Sequence, residues 1–559
     1  MLNRLFILAA CILAVPAAQS ADAPTPEAQL GKRLFFETRF AQAFFAQANG
    51  NVNATGISGD PALNETVSAG SNLPGPFAGK TMNCRTCHLE DEQQNAPGGG
   101  IRTYADFARR SPIPARGDGK TTTVRNSPAL VNASLPRPEF FLHFDGEFPS
   151  GADLAQGTFT GRNFGWLASE HATAVKHVAN VIRSDDGTGD LALQFGGSYA
   201  KVFAGDASVP AQFRLSGKSV LDVKKASDAQ VLAAAGQMIA AYLNSLQFSN
   251  TSPYDLFLAK NSLPAQPNAG EAPLDYARRL RAAVNALTAP VFVGPADGKF
   301  ATHAIQFVFG PNELLGLQVF LAEPGSPAPG TQAAPNGPPG APPPPPGAPP
   351  PGAGAGGVGN CIACHAPPAF TDFKFHNTGV SQLEYDAIFG SGAFNQLQIP
   401  TLAERKKVSA NVLPASAKHP HNAGIFRAIP NAANPGQADL GLWNVYANPD
   451  IPAPQKALKT LLTASLGKLK DDAILEKTIA SFKTPGLRDL LDSQPYLHNG
   501  TLDTIGQTVQ FYVQVSQMAR ANQLRNADPE LAKIAFTPQQ AQALTQFLNA
   551  LNEDFQDNN

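Results

Sequence analysis

Residues 84–88 read CRTCH and residues 361–365 read CIACH, so one pattern, C-x-x-C-H, occurs twice in the chain. Two thiols at positions i and i+3 lie one helical turn apart. Each can add to one vinyl group of a haem, while the adjacent histidine ligates the iron. A thioredoxin-like redox pair needs no histidine, and a zinc site needs further thiols. The sequence therefore predicts two covalently bound c-type haems. The attaching residues are Cys84, Cys87, Cys361 and Cys364, and the iron ligands are His88 and His365.

The remaining cysteine of the five, Cys11, lies in a segment typical of a secretory signal. Residues 1–20 combine Arg4, an apolar run and small residues before position 20. An exported protein normally uses its cysteines in disulfides, yet here none is left over outside the two motifs. We therefore expect export to the periplasm. Lipid anchoring at Cys11 is the alternative, because the stretch before it resembles a lipoprotein box.

Bulk properties exclude several classes of protein. The chain has 559 residues, which favours two or three domains, and its net charge of −2 argues against nucleic acid as a partner. No segment after the signal is long and apolar enough to be a transmembrane span.

The coarse pattern is helical with long loops, which predicts an all-α fold. Thr25 followed by Pro26 is a helix start, and residues 537–540 form a capping-box pattern. A Pro/Gly-rich tract at residues 325–358 has almost no charge or large apolar side chain, so we expect a semi-extended low-complexity loop. Apolar residues at helical spacing are Leu232, Ala235, Ile239, Tyr242, Leu243 and Leu246, and later Leu544, Phe547, Leu548 and Leu551.

Several segments, in order, resemble the bacterial di-haem cytochrome c peroxidase superfamily. Its relatives include the di-haem enzyme that matures the quinone cofactor of methylamine dehydrogenase, and the di-haem rubber oxygenases. Besides the two haem motifs, the resembling segments are residues 30–36 (LGKRLFF), 125–130 (RNSPAL), 144–146 (FDG), 252–255 (SPYD), 370–372 (FTD), 482–488 (FKTPGLR) and 495–500 (PYLHNG).

The resemblance implies two cytochrome c-like helical domains that face each other. We expect the N-terminal domain, with the catalytic haem, at residues 21–262, and the C-terminal domain, with the electron-transfer haem, at residues 359–559. Between them we expect an insertion with a connecting helix at residues 263–324, followed by the Pro/Gly-rich loop.

The function that the resemblance implies is reduction of hydrogen peroxide at the His88 haem. Electrons would pass through the His365 haem from a small periplasmic cytochrome c or copper protein. A relative that oxidises an organic or protein substrate with peroxide or dioxygen is the first alternative, and a non-catalytic di-haem electron carrier is the second. Family members are often homodimers. They often hold a calcium ion between the domains, and the matching positions are the side chain of Asn126 and the carbonyls of Ser493 and Pro495.

The position of the family's axial methionine on the second haem is occupied by Tyr512. A phenolate ligand stabilises ferric and higher oxidation states, whereas a thioether favours ferrous iron. Tyr512 is therefore the expected sixth ligand, with Met518 as the alternative.

Around the first haem, this sequence departs from the pattern of the family in three ways. No histidine occurs between His88 and His143, which predicts an open iron unless His143 itself reaches it. Phe144 stands where the family has a tryptophan between the haems. Peroxide cleavage needs a base that moves a proton between the two oxygens. Gln156 matches a family glutamine, but ten residues later stands Trp166 instead of a glutamate, so Glu170 and His143 are the other candidates for this role.

Overall fold

The computed structural model describes residues 24–54, 83, 84, 87, 88, 110, 111, 113–301, 303–326 and 357–555. It also describes the backbone of four short strands between residues 67 and 100. The predicted signal segment with Cys11 and most of the Pro/Gly-rich tract lie outside the described residues.

The described part is mainly helical, which confirms the predicted class in its coarse form. Strands occur only as short antiparallel pairs within the described ranges: β1 (Val67–Ser68) with β2 (Pro74–Gly75), β3 (Asn95–Ala96) with β4 (Gly99–Gly100), and β5 (Phe375–His376) with β6 (Phe482–Lys483). The helices are α1 (Pro26–Phe35), α2 (Gln42–Gln47), α3 (Gly151–Phe159), α4 (His171–Ser184), α5 (Asp190–Gln194), α6 (Tyr199–Phe203), α7 (Asp228–Ser245), α8 (Pro253–Lys260), α9 (Pro273–Asn285), α10 (Pro311–Leu321), α11 (Val380–Phe389), α12 (Ala393–Gln396), α13 (Leu402–Lys407), α14 (Ser409–Val412), α15 (Gln455–Leu466), α16 (Asp471–Lys477), α17 (Ile505–Arg520) and α18 (Pro538–Asn549).

The first hydrophobic core forms where α1 crosses α7, with α3 and α4 packed against α7. The hydroxyl of Thr25 caps α1 and Pro26 occupies its first turn, as predicted. The crossing is close because Gly31 has no side chain. A Cβ there would collide with the carbonyl oxygen of Met238 and would lie 2.7 Å from the Cβ of Tyr242.

The second core repeats this arrangement with α10 and α18. Gly316 lies at that crossing, where a Cβ would collide with the carbonyl oxygen of Ala543 and would lie 2.7 Å from the Cβ of Phe547. The hydroxyl of Thr537 accepts from the backbone N–H of Gln540, so the predicted capping box at the start of α18 is present. Each C-x-x-C-H motif therefore follows a glycine-containing helix that packs against a later helix.

The second core also contains side chains that lie well before the second C-x-x-C-H motif in the chain. Tyr254 on α8, Tyr276 on α9 and Phe320 on α10 are all buried in it. Residues 263–324, expected to be an insertion between the two haem units, therefore pack with the C-terminal core. The last fully buried side chain of the first core before this change is Leu246, and the first of the second core is Tyr254.

A third core, which the sequence patterns did not predict, lies between β5 and β6. It is formed by α11 to α16 and the loops between them, and its buried side chains include Trp443 and Leu440. Phe141, from the N-terminal half, is completely buried in the same core. This inserted unit is therefore packed against the N-terminal half. Within the described ranges, no helix combines the length and apolar character needed to cross a membrane.

Candidate haem sites

The second C-x-x-C-H motif forms a tight helical turn. Residues Cys361–Ala363 are a 3-10 helix, and the backbone N–H groups of Cys364 and His365 both donate to the carbonyl of Cys361, at 3.2 and 2.7 Å. This turn brings the two thiols to one side, as attachment to two vinyl groups requires. The Nδ1 atom of His365 lies 2.9 Å from the carbonyl oxygen of Phe370. A proton held there leaves Nε2 unprotonated, which is the form that ligates iron.

The first motif has the same local geometry. The N–H groups of Cys87 and His88 donate to the carbonyl of Cys84 at 3.1 and 3.0 Å. The imidazole of His88 has a hydrogen bond to the carbonyl of Pro128. The chain thus presents two equivalent pairs of thiols, each with an imidazole oriented by the backbone.

Two prolines that the sequence patterns did not single out have matching positions. Pro128 lies in the RNSPAL segment beside His88, and Pro485 lies in the FKTPGLR segment, where its carbonyl is a further acceptor for His365. Both prolines follow a basic residue closely: Pro128 comes three residues after Arg125, and Pro485 comes two residues after Lys483. Nothing in that spacing, however, identifies the histidine that it serves.

The surroundings of the motifs fit an attached haem. Cys84 packs against the first core and Cys361 against the second, and both keep part of their surface accessible, as do His88 and His365. Burial, with the charge of the partner thiol, raises the pKa values of Cys84 and Cys361 to about 12. Burial, with the charge of His143, lowers the pKa of His88 to about 4. A neutral imidazole can ligate iron, and the four thiols, which form no disulfide, can form thioether bonds with the haem vinyl groups.

Tyr512 lies on α17 close to the second motif. Its pKa is raised by burial and then by the charges of Cys364 and Cys361. Met518 is six residues further along the same helix. Six residues correspond to a rotation of about 120° away from Tyr512 and a rise of about 9 Å. For a given placement of α17, only one of these two side chains can therefore point towards the second motif.

His143 is held beside the first motif by an unusual backbone conformation. Its φ is +62°, in the left-handed region that few non-glycine residues adopt. The Nδ1 atom lies 3.4 Å from Oε2 of Glu147, and that oxygen accepts from Nη2 of Arg427 at 2.6 Å. Arg427 belongs to the inserted unit, so a residue about 280 positions away completes this cluster. Glu147 and Arg427 were not predicted as site residues.

The other distal candidates have structural partners. Oε1 of Glu170 accepts from Arg116 at 2.7 Å, and Oε2 accepts from the backbone N–H of Leu167 at 2.8 Å. The amide of Gln156 donates to the carbonyl of Ala152 on α3, at 3.1 Å. Trp166 is buried in the first core, and its indole N–H donates to the carbonyl of Phe40 at 2.9 Å.

Phe144 lies at the contact between the two halves. Its carbonyl accepts from the backbone N–H of Lys483 on β6, at 2.7 Å. The following residue, Asp145, is completely buried and pairs with Arg125 at 2.6 Å. Arg125 also binds Asp439 of the inserted unit through two hydrogen bonds of 2.6 and 2.8 Å. The RNSPAL and FDG segments are therefore joined by a buried ion pair.

The predicted calcium ligands Asn126 and Pro495 are adjacent. The side-chain amide of Asn126 donates to the carbonyl of Pro495, and its Oδ1 accepts from the N–H of Ser127 at 2.8 Å. The hydroxyl of Ser493 donates to the carbonyl of Asp489 at 3.2 Å. These contacts bring two of the three positions together.

Comparison with known proteins gives relatives of one kind. No family model matches the chain. The cytochrome-c peroxidase IdrP2 of Denitromonas iodatirespirans is 28% identical over 196 residues, which is 35% of this chain and 37% of the relative. Its counterpart from Pseudomonas sp. (strain SCT) is 25% identical over 198 residues, with the same coverage. The aligned part thus spans little more than a third of these relatives. They confirm the resemblance to the di-haem cytochrome c peroxidase superfamily.

Two solved structures align with most of the chain at low similarity. The di-haem peroxidase BthA from Burkholderia thailandensis E264 has a TM-score of 0.42 and 16% identity, covering 95% of this chain and 87% of the other. A MauG-like protein associated with microbial copper homeostasis has a TM-score of 0.39 and 15% identity, covering 98% and 96%.

Proposed function

We propose that this chain is a periplasmic di-haem c-type oxidoreductase that reduces hydrogen peroxide at the His88 haem. Electrons reach that haem through the His365 haem from a small cytochrome c or copper protein. The observation that carries the proposal is the pair of equivalent C-x-x-C-H turns, each with its imidazole held by a backbone carbonyl. The curated relatives named cytochrome-c peroxidase support it.

Each haem, when attached, supplies an iron that exchanges single electrons, and the open one also binds the oxidant. Reduction of one hydrogen peroxide to two waters consumes two electrons and two protons. The protein must therefore position a group that takes a proton from one peroxide oxygen and returns it to the other.

We assign this proton transfer to His143. Its charge acts on His88, so the two imidazoles are near one another. Glu147 accepts at Nδ1 of His143, which leaves Nε2 as the proton acceptor, and Arg427 keeps Glu147 ionised and in place. Burial raises the pKa of Glu147, but the charges of Arg427 and His143 outweigh it and lower the pKa well below its usual range. A base oriented by a carboxylate is a common arrangement in acid–base catalysis.

Glu170 and Gln156 remain the other candidates for the distal role. Both oxygens of Glu170 accept hydrogen bonds from Arg116 and Leu167, so acting as an acid would require one of those bonds to break. His143 pairs with a single carboxylate and leaves one ring nitrogen for chemistry, which is why we favour it.

On the second haem we propose Tyr512 as the sixth ligand, because the charges of both motif thiols act on its phenol. Met518 stays the alternative. The same observation supports the second candidate function, oxidation of an organic or protein substrate with peroxide or dioxygen, because a phenolate favours the higher oxidation states of iron. For the calcium ion, Asn126 and Pro495 are the proposed ligands with Ser493, since Asn126 and Pro495 already touch.

The haem-loaded chain allows a direct test of these functions. Peroxide-dependent oxidation of a reduced small cytochrome c is expected, with no dioxygen consumption in the absence of peroxide. Dioxygen uptake without peroxide would favour the oxidase. A ferric spectrum that is entirely low-spin and ignores peroxide and cyanide would favour the electron carrier.

Replacing His143 tests the acid–base assignment. His143→Gln is expected to lower peroxide turnover by about 10²- to 10⁴-fold, with unchanged haem content. His421→Gln, at an exposed histidine of the inserted unit, is the matched control and should keep full activity. Unchanged turnover in His143→Gln together with a loss in Glu170→Gln would transfer the role to Glu170. If His143→Gln instead converts a low-spin first haem to high-spin, His143 is an iron ligand in the resting protein.

A further inference from the structure

Two cations of the described chain meet at the ring of Phe373 without a carboxylate between them. The guanidinium carbon of Arg137 lies 4.0 Å from the ring centroid of Phe373, and Nζ of Lys483 lies 5.9 Å from the same centroid. A second ring, Phe140, lies on Arg137 at 4.0 Å. Arg137 comes from the N-terminal half and Lys483 from β6, so the pair lies at the contact between the halves.

The hydrogen-bonding capacity of the pair is only partly used. The two Nη groups of Arg137 donate to the carbonyls of Ala133, Leu135 and Phe141 at 3.0 to 3.1 Å, while its buried Nε–H has no acceptor within the described residues. The ammonium of Lys483 has neither a hydrogen bond nor an ion pair there. Burial, followed by the charge of Arg137, lowers the pKa of Lys483 to about 7. Two half-buried cations without an anionic partner are costly, and a carboxylate close to both would reduce that cost.

The pair lies next to the second haem motif. The N–H of Asp372, one residue before Phe373, donates to the carbonyl of Cys364 at 2.8 Å. On the other side, Lys483 lies two residues before Pro485, and the carbonyl of Pro485 is an acceptor for His365. The segments of Phe373 and Lys483 therefore both contact the second C-x-x-C-H motif, and Arg137 reaches this place through the ring of Phe373.

Other basic side chains near this motif already have acidic partners. Arg488 binds both oxygens of Asp255 at 2.8 and 2.9 Å. His376 lies between Asp372 and Asp528, at 3.0 and 2.6 Å. Lys483 is thus a cation next to the second motif whose charge no described carboxylate balances.

We propose that Lys483, with Arg137 beside it, binds a propionate carboxylate of the haem attached at Cys361 and Cys364. A c-type haem carries two propionates, and a carboxylate is the charge that this pair lacks. The inference rests on the proposed di-haem function for the presence of the group, but not on peroxide being the substrate. Lys483 is a cofactor-positioning residue, and its charge favours the reduced iron.

Three variants of the haem-loaded chain test the proposal. Lys483→Met removes the charge and keeps the apolar stem, Lys483→Arg keeps the charge, and Lys374→Met changes an exposed lysine next to Phe373. Spectroelectrochemistry of the His365 haem should show at least a tenfold fall in the equilibrium constant for reduction in Lys483→Met, which is about 59 mV for one electron. Lys483→Arg and Lys374→Met should stay close to wild type. An unchanged potential in Lys483→Met overturns the proposal.

A measurement on the wild-type chain covers the case in which Lys483→Met fails to load haem. The propionate bending band in the resonance Raman spectrum should shift on transfer to D₂O, because exchangeable N–H groups donate to the carboxylate. A band that does not shift overturns the proposal. Titration with acetate tests whether a dissolved anion, and not the haem propionate, occupies the site. A haem potential that depends on acetate concentration in the wild type but not in Lys483→Met would assign the site to small carboxylates and overturn the proposal. If the potential and the Raman band shift as expected but the chain does not turn over peroxide, only the proposed function is contradicted.

Discussion

At the scale of single residues, Tyr512 is the side chain on which the proposed chemistry of the second haem depends. The thiols of Cys361 and Cys364 act on its phenol, whereas Met518 lies on a different side of α17. A phenolate ligand stabilises the higher oxidation states of iron, whereas a thioether ligand stabilises the ferrous state. The ligand therefore decides whether a haem stores oxidising equivalents or serves as a ferrous electron reservoir.

The first prediction concerns this ligand. Tyr512→Phe should abolish the phenolate-to-iron charge-transfer absorption of the ferric chain and raise the potential of the His365 haem, because the anionic ligand is lost. Met518→Leu should change neither property. Survival of the absorption in Tyr512→Phe, with its loss in Met518→Leu, would contradict the assignment.

Glu37 is a second residue whose environment has a measurable consequence. It is almost completely buried and accepts from Arg39 at 2.7 and 2.8 Å and from the hydroxyl of Tyr199 at 2.9 Å. Burial raises the pKa of Glu37, but Arg39 outweighs it and lowers the pKa to about 2. Because the folded pKa lies below the unfolded one, the stabilisation is complete above about pH 4.5 and is lost as the pH falls towards 2.

The second prediction follows from the lowered pKa of Glu37 in the folded state. Glu37→Gln should lower the free energy of unfolding by about 3 kcal/mol at pH 7, and the difference from wild type should shrink between pH 4.5 and 2. Urea unfolding followed by circular dichroism at pH 7 and pH 3 measures it. Glu476→Gln, at an exposed position, is the control. A deficit of equal size at both pH values would contradict the linkage.

At the scale of elements, the two crossings α1–α7 and α10–α18 have the same design. In each, a glycine on the earlier helix touches the backbone of the later one, through Gly31 and Met238 or through Gly316 and Ala543. Each crossing carries one haem motif downstream of its first helix. This correspondence supports the proposed two cytochrome c-like units, each with one such crossing.

The third prediction tests the second crossing. Gly316→Ala should lower the free energy of unfolding by about 1–3 kcal/mol, since α10 and α18 must separate to admit the methyl group. Gly506→Ala on α17 is the matched control, because its Cβ would meet nothing closer than 3.9 Å. The control should be neutral or gain up to about 1 kcal/mol from helix propensity. Equal losses in both variants would show that the crossing is not the cause.

At the scale of the whole molecule, the inserted unit between β5 and β6 ties the two halves together. Arg427 reaches Glu147, Asp439 reaches Arg125, and Glu384 reaches Arg110. The end of the described chain makes another tie: Glu553 accepts from the N–H groups of Ser249 and Thr251 at 2.6 and 2.9 Å, in the segment between the first two cores.

The fourth prediction concerns this tie. Glu553→Ala should lower the free energy of unfolding by about 1–3 kcal/mol, because two backbone donors lose their acceptor. The segment around residues 247–252 should also become more sensitive to limited proteolysis, monitored by mass spectrometry. Unchanged cleavage there would mean that Glu553 does not hold the linking segment.

The sequence by itself determined what depends on neighbours along the chain. The C-x-x-C-H turns, the caps at Thr25 and Thr537 and the helical class all follow from residues within one or two turns of each other. The resemblance to di-haem peroxidases also rested on short local segments, and the relatives confirm it.

Only the tertiary structure decided how distant segments meet. The His143–Glu147–Arg427 cluster and the Lys483–Arg137 pair each join side chains more than 250 positions apart. The third core and the packing of residues 263–324 with the C-terminal half likewise depend on which apolar faces cover one another. Local periodicity marks a face as apolar but carries no information about its partner, because burial is non-directional and is satisfied by any complementary surface.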